Sequence, residues 1–449
     1  MPIKRFSRII RTVLAIIICL YVGAISLLNI PYIQQRLSVA VANELGRQLK
    51  TGVSINRIDI GLLNRIIIDD VTINDQENKV MLKISRLSAK FNLRELVKGK
   101  ISIGSAQLFG FTANLYKKTS KSKPNYQFIL DALSSKDKNK PSKPLDLRIN
   151  SLLLRRGNLS YNEWYVPVTP RKFNIKHLGI SRFNANISLK ALNKDSLNIS
   201  IRRMDFDEHS DFHLKHFKMK ATANRKRMYL TNMELELPAT KIVFDTIKVN
   251  YTVKANKVLT ESIKYKGALK NSIITLSDIS AFIPALKLAE DPLQANMIAE
   301  GDMRHTSLKD IHVQSVHKDI QLDANIFLHN LSGPEKLSLT GKVSSLTINN
   351  TGMHILLKSL IPNITETPSI LSRLGNIHFK GEVHLNTNGM ATYGVLRTGL
   401  GTAKADMNIN GKKKTYDGRL ECEGFELGKL LDNNKIGKIS FSGDISGKN

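Results

Sequence analysis

The sequence is poor in cysteine, aromatic residues and acid. Two cysteines in 449 residues exclude a disulfide-dense scaffold and a zinc ribbon built on four cysteines. Cys19 lies in an apolar run and Cys422 in a polar, strand-like stretch, so the pair says little about redox compartment. Aromatics make up 6% of the chain and are not interleaved with concentrated basic charge, as a nucleic-acid surface requires. No nucleic-acid partner is therefore expected. Asp and Glu number 38 against 67 Lys and Arg, a formal charge of +29. That excess admits anionic lipid or an acidic partner.

Catalytic motifs are also missing. There is no Walker-type phosphate loop, no dinucleotide-binding glycine fingerprint after a strand, and no nucleophile elbow. One histidine cluster stands out, His209, His213 and His216, with Asp207, Glu208 and Asp211 beside it. On a helix the three rings would share a face and could ligate zinc. The flanking pattern is that of a strand, which groups His209, Asp211 and His213 and turns His216 away, so a solvated polar face is the plainer reading. Asp69 and Asp70 read as a turn before a strand, and the lone Trp164 reads as a packing residue. No set of residues fills the roles of nucleophile, base and orienting group. An enzyme is not expected, and neither a metal nor a cofactor.

What is present starts at the N-terminus. Lys4, Arg5, Arg8 and Arg11 precede a stretch, Thr12 to Gln35, without a single charge. Its apolar run is long enough to cross a bilayer, which takes ~20 residues, and the leading positive charges orient the N-terminus to the cytoplasm. A cleaved signal peptide is the alternative. Val22-Gly23-Ala24 is a weak cleavage site, however, and Ile25, Leu27, Leu28 and Ile30 follow it. The expected order is a basic flank at 1–11, a transmembrane anchor at 12–33, an amphipathic helix at 34–50 and a β-rich body at 51–449. In the helix, Ile33, Leu37, Val41, Leu45 and Leu49 recur at spacings of four, and Gly52 offers a stop.

Beyond Gly52 the apolar period becomes two, as in Leu145, Leu147, Ile149 and in Ala403, Ala405, Met407, Ile409. The fold class expected is mainly β: a long curled sheet of antiparallel type with one apolar and one solvated face. Pairs of alternating residues are repeatedly joined by a step of three. The cases are Ile199, Ile201, Met204, Phe206; Phe212, Leu214, Phe217, Met219; Met228, Leu230, Met233, Leu235; Ile242, Phe244, Ile247, Val249; and Leu108, Phe111, Ala113. A step of three flips a flat strand and keeps its face only if a residue is spent in a bulge. Repeated bulges would curl the sheet into an apolar groove, and ordinary hairpins of a β-sandwich are the alternative. The groove candidates are Ile199, Ile201, Met204, Phe206, Leu214, Phe217, Met219, Leu230, Met233, Leu235, Phe244, Ile247 and Val249. Short helices are expected at Asn125–Leu133, His354–Leu360, Pro368–Gly375 and Glu426–Leu431, with mobile Lys-rich loops near 117–124 and 134–144. The strand pattern at the end suggests the membrane-proximal part of a longer protein.

The stretch PYIQQRLSVAVANELGRQLKTGVSINRIDIGLLNRIIIDDVTINDQENKVMLKISRLSAKFNLRELVKGKISIGSAQLFGFTANLYKK resembles the N-terminal region of the TamB family, inner-membrane subunits of a translocation and assembly module within the AsmA-like group. NYQFILDAL after a Lys-rich loop fits the Bacteroidetes form of that family. The resemblance is specific from about Pro31 to Leu133, and the family's C-terminal domain is not recognisable. It implies a single-pass bacterial inner-membrane protein with its body in the periplasm. It further implies an apolar β-groove that carries phospholipid acyl chains toward the outer membrane. An older assignment to the same family implies assembly of outer-membrane β-barrels with a barrel partner.

Overall fold

The computed structural model describes residues 15–16, 19–23, 26–61, 65–91, 102–133, 148–192, 196–254, 257–282, 286, 288, 290–302, 304–330, 337–360, 364 and 366–448. The chain divides into two compact units, Met1–His213 and Leu214–Asn449. The fold is mainly β, in strands that pair almost entirely antiparallel.

The first unit opens with helix α1 (Pro31–Leu49). Pro31 starts it at the position where a fixed φ helps and a missing N–H costs nothing. Tyr32 and Ile33 therefore belong to α1 and not to the expected anchor. Lys50, and not Gly52, takes the left-handed conformation that ends the helix, with φ 54°. The buried stripe also differs from the expected leucine spine. It is Gln34, Ser38 and Ala42, flanked by Leu37 and Val41, whereas Leu45 is exposed. Small side chains win because they let the helix backbone approach the sheet closely. The buried polar atoms are satisfied: Ser38 donates to the Gln34 carbonyl at 2.8 Å, and the Gln34 amide donates to Asp59. Among the described residues no helix is long and apolar enough to cross a membrane. Residues 12–14, 17–18 and 24–25 of the expected span lie outside the described set, as do Lys4, Arg5, Arg8 and Arg11.

Strands β1 (Val53–Gly61), β2 (Arg65–Asn74), β3 (Val80–Phe91) and β4 (Ser102–Lys117) follow as an antiparallel meander. Then β5 (Arg148–Glu163), β6 (His177–Leu192) and β7 (Ser196–Glu208) complete the unit. The pair β4–β5 is parallel, a departure from the all-antiparallel expectation. The chain between those strands crosses back through helix α2 (Gln127–Leu133), the long connection that a parallel pair needs. Of the loop expected to be mobile at 117–124, Thr119 and Ser122 close a reciprocally hydrogen-bonded turn, while 134–144 lies outside the described residues. The core of the unit joins Ala42 of α1 to Ile55, Ile58, Val71, Ile84 and Phe111.

In the second unit the strands are β8 (Phe212–Asn224), β9 (Arg227–Glu236), β10 (Lys241–Phe244) and β11 (Ile247–Asn250), with a small hairpin β12 (Val253–Lys254) and β13 (Lys257–Val258). They continue as β14 (Lys264–Ile274), β15 (Leu293–Asp302), β16 (His305–Ser315), β17 (Ile320–His329) and β18 (Ser338–Ile348). The last are β19 (Ile377–Asn386), β20 (Gly389–Thr398), β21 (Gly401–Asn410), β22 (Thr415–Phe425) and β23 (Ile439–Lys448). From β14 to β23 each strand pairs antiparallel with the next. Helices α3 (Asn350–Leu360), α4 (Ser369–Arg373) and α5 (Leu427–Leu431) fall where short helices are expected.

The steps of three are met in several ways: two coincide with bulges, at Asn232 and in β7, one with a left-handed glycine that leaves the register unshifted, one with a strand break, and one with none of these. Asn232 lies between Leu230 and Met233 with φ 52°, and Gly110 lies between Leu108 and Phe111 with φ 63°. In β7 the register shifts by one residue between Ile201 and Arg203. Between Phe244 and Ile247 the strand breaks into β10 and β11. The step from Leu214 to Phe217 stays inside unbroken β8. Further left-handed residues sit inside β2 (Asp70, φ 53°), β5 (Arg156, φ 52°), β14 (Asn271, φ 46°), β16 (Asp310, φ 50°) and β22 (Gly424, φ 58°). Asp70 is thus a left-handed residue inside a strand and not a turn before one, and the register on either side of it stays unshifted. A bulge frees a backbone N–H, which must find a partner when the sheet surrounds it. The next strand supplies it. Arg156 N–H donates to Asn184 Oδ1 (3.1 Å), Asn271 N–H to Asn296 Oδ1 (2.7 Å), Asp310 N–H to Asn325 Oδ1 (3.0 Å), and Gly424 N–H to Ser440 Oγ (3.1 Å).

One glycine is required for a different reason. A Cβ on Gly157 of β5 would stand 2.1 Å from Phe111 Cζ, so its absence lets that ring cross β5 and meet Phe183 edge-on at 6.2 Å. The bulge account makes an asymmetric prediction at Asp310. Asp310→Gly should leave the denaturation midpoint within about 0.5 kcal/mol of wild type, whereas Asp310→Val should cost about 1–3 kcal/mol because a β-branched residue resists positive φ. Asn325→Ala should cost about 1 kcal/mol for the lost acceptor. Chemical denaturation of the three variants measures all of this.

Candidate functional site

Within each unit, most of the residues expected to line a groove meet one another across neighbouring strands and are only half covered; Leu214, three positions before Phe217 in unbroken β8, falls out of that alternation. In the first unit, Ile199 pairs with Leu189, Ile201 with Ile187 and Met204 with Ala185. Phe206 lies 6.2 Å from Phe183, which extends the aromatic line begun at Phe111. Ile199, Ile201, Met204 and Phe206 are all half-buried. Toward β1–β3 the same apolar side is covered by α1, and there Ile55, Ile58, Val71 and Ile84 are buried.

In the second unit Phe217 pairs with Leu235, Phe244 with Met233, Ile247 with Leu230 and Val249 with Met228. Met219 sits at the β8 register shift beside them. Of these candidates, counting Leu214, only Leu214 is buried, at 5% exposure. A face pressed against a second sheet would hide such residues. Here every candidate but Leu214 keeps part of its surface open.

The apolar face extends well past the residues singled out from the sequence. One row crosses six strands as Leu328, Leu339, Leu385, Met390, Ile409 and Tyr416. A second row runs Val313, Leu322, Leu346, Phe379, Leu396, Ala403, Cys422 and Phe441. Leu385, Ile409, Tyr416 and Phe441 are exposed hydrophobics. The signal that could have found these rows is the alternation itself, which runs through β17–β23 as plainly as through β7–β11. On the opposite face, Lys342, Glu382, Tyr393, Asp406, Arg419 and Asp444 form an equally regular polar row.

That polar face is laced with ion pairs. Lys309 and Lys266 both hydrogen-bond Glu300 and hold its carboxyl down to about 2. At the β2–β3 turn Asp75 is buried. Desolvation pushes its carboxyl up, but hydrogen bonds from Tyr116 Oη (2.6 Å) and from the Glu77 and Lys79 amides outweigh that and leave it below the ordinary range. On the outer side of the β1–β4 crease a cleft of about 640 Å³ is lined by Asn56, Asp70, Ser85 and Gln107 around the Arg57–Asp69–Arg86 ion pairs.

The histidines do not assemble. His209 belongs to the turn after β7 and lies 2.5 Å from the buried Glu208, whose other oxygen accepts from Ser210. His213 Nδ1 contacts Asp207 at 2.7 Å. His216 stands opposite Glu236. The turn breaks the strand on which His209, Asp211 and His213 were expected to share a face. Among the described residues no group of three or more His, Cys, Asp or Glu side chains is placed to hold a metal ion. Trp164, expected to pack, stacks on Tyr116 and is 51% exposed.

No protein-family model, curated protein or solved structure matches the chain.

The Glu300 pairing has a pH consequence of definite sign. Its carboxyl is depressed from 4.5 to about 2 in the folded chain, so its contribution to stability is present above the unfolded pKa and is lost as pH falls through the folded one. Carboxyl resonances followed by NMR should show Glu300 titrating near the lower value. In Lys309→Gln its midpoint should move up toward that of an ordinary glutamate.

Proposed function

We propose that this chain is a membrane-anchored lipid-transfer conduit, in which phospholipid acyl chains pass along the uncovered apolar face of the sheet toward an outer membrane. The observation that carries the reading is the regular rows of Leu, Ile, Met and Phe that stay half-buried or exposed, Leu385, Ile409 and Phe441 among the exposed ones. An acyl chain kept out of water gains ~0.8 kcal/mol per methylene, so such a face attracts lipid without any recognition motif. The resemblance of the Pro31–Leu133 region to the TamB family supports the same reading, and that family supplies the envelope setting. The anchor is part of the proposal. Ile16, Leu20 and Leu27, on described helical residues of the N-terminal run, are exposed, as they would be if lipid surrounded them. With Lys4, Arg5, Arg8 and Arg11 ahead of the run, the N-terminus would lie in the cytoplasm and the body in the periplasm. No bond making or breaking is invoked.

The test is lipid content and transfer. Purified full chain should carry phospholipid detectable by mass spectrometry. Phe217→Glu or Ile201→Asp should lower bound lipid by about tenfold or more, because a carboxylate set against acyl chains costs well over the ~1.4 kcal/mol that a factor of ten represents. Transfer between donor and acceptor vesicles should fall in parallel while far-UV circular dichroism stays unchanged. Lipid-free protein, or variants that transfer as well as wild type, would overturn the proposal and favour an assembly factor that pairs client strands by its backbone.

A further inference from the structure

One end of the first unit carries a surface that the conduit reading does not use. β4 ends at Lys117, β5 at Glu163, and β6 begins at His177. The parallel β4–β5 pair brings Lys117 opposite Glu163. There Trp164 stacks on Tyr116 with ring centroids 4.4 Å apart and planes 8° apart. Lys79 and Lys118 lie 5.4 and 5.9 Å from the indole centroid, and Lys117 lies 5.6 Å from the Tyr165 ring. The 164–176 loop then exposes aliphatic side chains outright: Val168 is 61% and Ile175 68% exposed. Arg171, Lys172 and Lys176 are interspersed with them, and the acidic neighbours include Glu77, Glu163 and the buried Asp75 that accepts from Tyr116.

Exposed Trp, Tyr, Val and Ile on one short loop, rimmed by an excess of cations, is the chemistry of a bilayer interface. The rings sit at headgroup depth, the aliphatic tips enter the acyl boundary, and Lys and Arg meet anionic headgroups. An acidic polypeptide would satisfy the cations and leave Val168 and Ile175 in water. The start of the loop is tied back to the strand ends by hydrogen bonds. Trp164 N–H donates to the Lys117 carbonyl (3.0 Å), Tyr165 Oη to Glu163 (2.5 Å), and the Val166 carbonyl meets His177 Nε2 (2.7 Å).

We infer that this loop is a second membrane contact, docking the Trp164–Tyr165–Val168–Ile175 surface onto an anionic lipid bilayer. Its position adds a geometric consequence. At one end of α1, Asn29 is pinned to Ile60 of β1; at the other, Gln76 bonds the Leu49 and Lys50 carbonyls in the turn that also holds Lys79 against Trp164. The two ends of the 19-residue helix are about 28 Å apart at 1.5 Å per residue. Anchor and loop together would lay the α1 axis along the membrane plane. That orientation, unlike the contact itself, rests on the anchor reading proposed above.

Trp164 is the only tryptophan in the chain, which makes it a clean reporter. Full chain incorporated in vesicles of brominated phosphatidylglycerol should show quenched, blue-shifted Trp164 emission, with quenching falling as salt rises. In brominated phosphatidylcholine vesicles the quenching should be weak. Val168→Ser with Ile175→Ser, and separately Lys117→Glu with Arg171→Glu, should reduce quenching in anionic vesicles to the neutral-lipid level while lipid transfer by the apolar face persists. Emission in anionic vesicles identical to that in detergent would overturn the inference. So would full quenching in both double variants, or an equal spectral shift with polyglutamate in place of vesicles. None of these results bears on whether the apolar face carries lipid, so the two proposals fail separately.

Discussion

The structure depends on keeping one face of long strands apolar while the strands bend. Side chains alternate along a strand, so a single uncompensated slip would carry every residue beyond it to the other face. Each bend must therefore absorb one residue in a left-handed bulge and find a partner for the N–H the bulge releases. Arg156, Asn271, Asp310 and Gly424 solve this the same way, by borrowing an amide or hydroxyl oxygen from the neighbouring strand. Only Gly424 tolerates positive φ freely, and Asn and Asp tolerate it better than most residues. Arg156 and Arg182 are held there by their surroundings, and Asn184 serves both: its Oδ1 accepts from Arg156 N–H and its Nδ2 donates to the Arg182 carbonyl.

Once bulges preserve the apolar face, what covers it becomes the deciding question. In the first unit α1 lies over β1–β3 by presenting Ser38 and Ala42, small enough for close approach, and Gln34, whose amide is hydrogen-bonded to Asn29 and Asp59. Beyond that cover the Phe111, Phe183 and Phe206 rings step across the sheet, and in the second unit the rows through Leu339 and Leu346 stay half-buried or exposed. Apolar surface left to water costs roughly 25 cal/mol per Å², and an occupant that removes it from water relieves that cost. The opposite face carries the excess of Lys and Arg in exposed pairs such as Lys218–Glu234, each worth little for stability but together keeping that side wet.

Much of this was legible in the sequence because it is periodic. The alternation, the steps of three at Gly110 and Asn232, and the short helices at Gln127–Leu133 and Asn350–Leu360 all leave a local signature. Part of the candidate face was legible too, from Ile199 to Val249, though its continuation through Leu385 and Ile409 was passed over. Non-local partners explain what was misread. Asp70 follows another aspartate and looks like a turn; it lies inside a strand because β1 and β3 pair on either side of it. The face that α1 buries depends on the sheet it meets, and the sheet selects Ser38 over Leu45. Parallel pairing of β4 with β5 depends on where the crossover lands. Trp164 reads as a packing residue and does pack, on Tyr116, but nothing in the sequence signals that half of it stays in solvent.

The central claim is that lipid runs along the apolar face and not elsewhere on the sheet, and site-specific photo-crosslinking in native membranes tests it most directly. A photoreactive side chain placed at Met233, Leu339 or Ile409 should capture phospholipid, whereas the same group at Lys218, Lys342 or Asp406 on the opposite face should not. Equal capture from both faces, or none from either, would contradict the account.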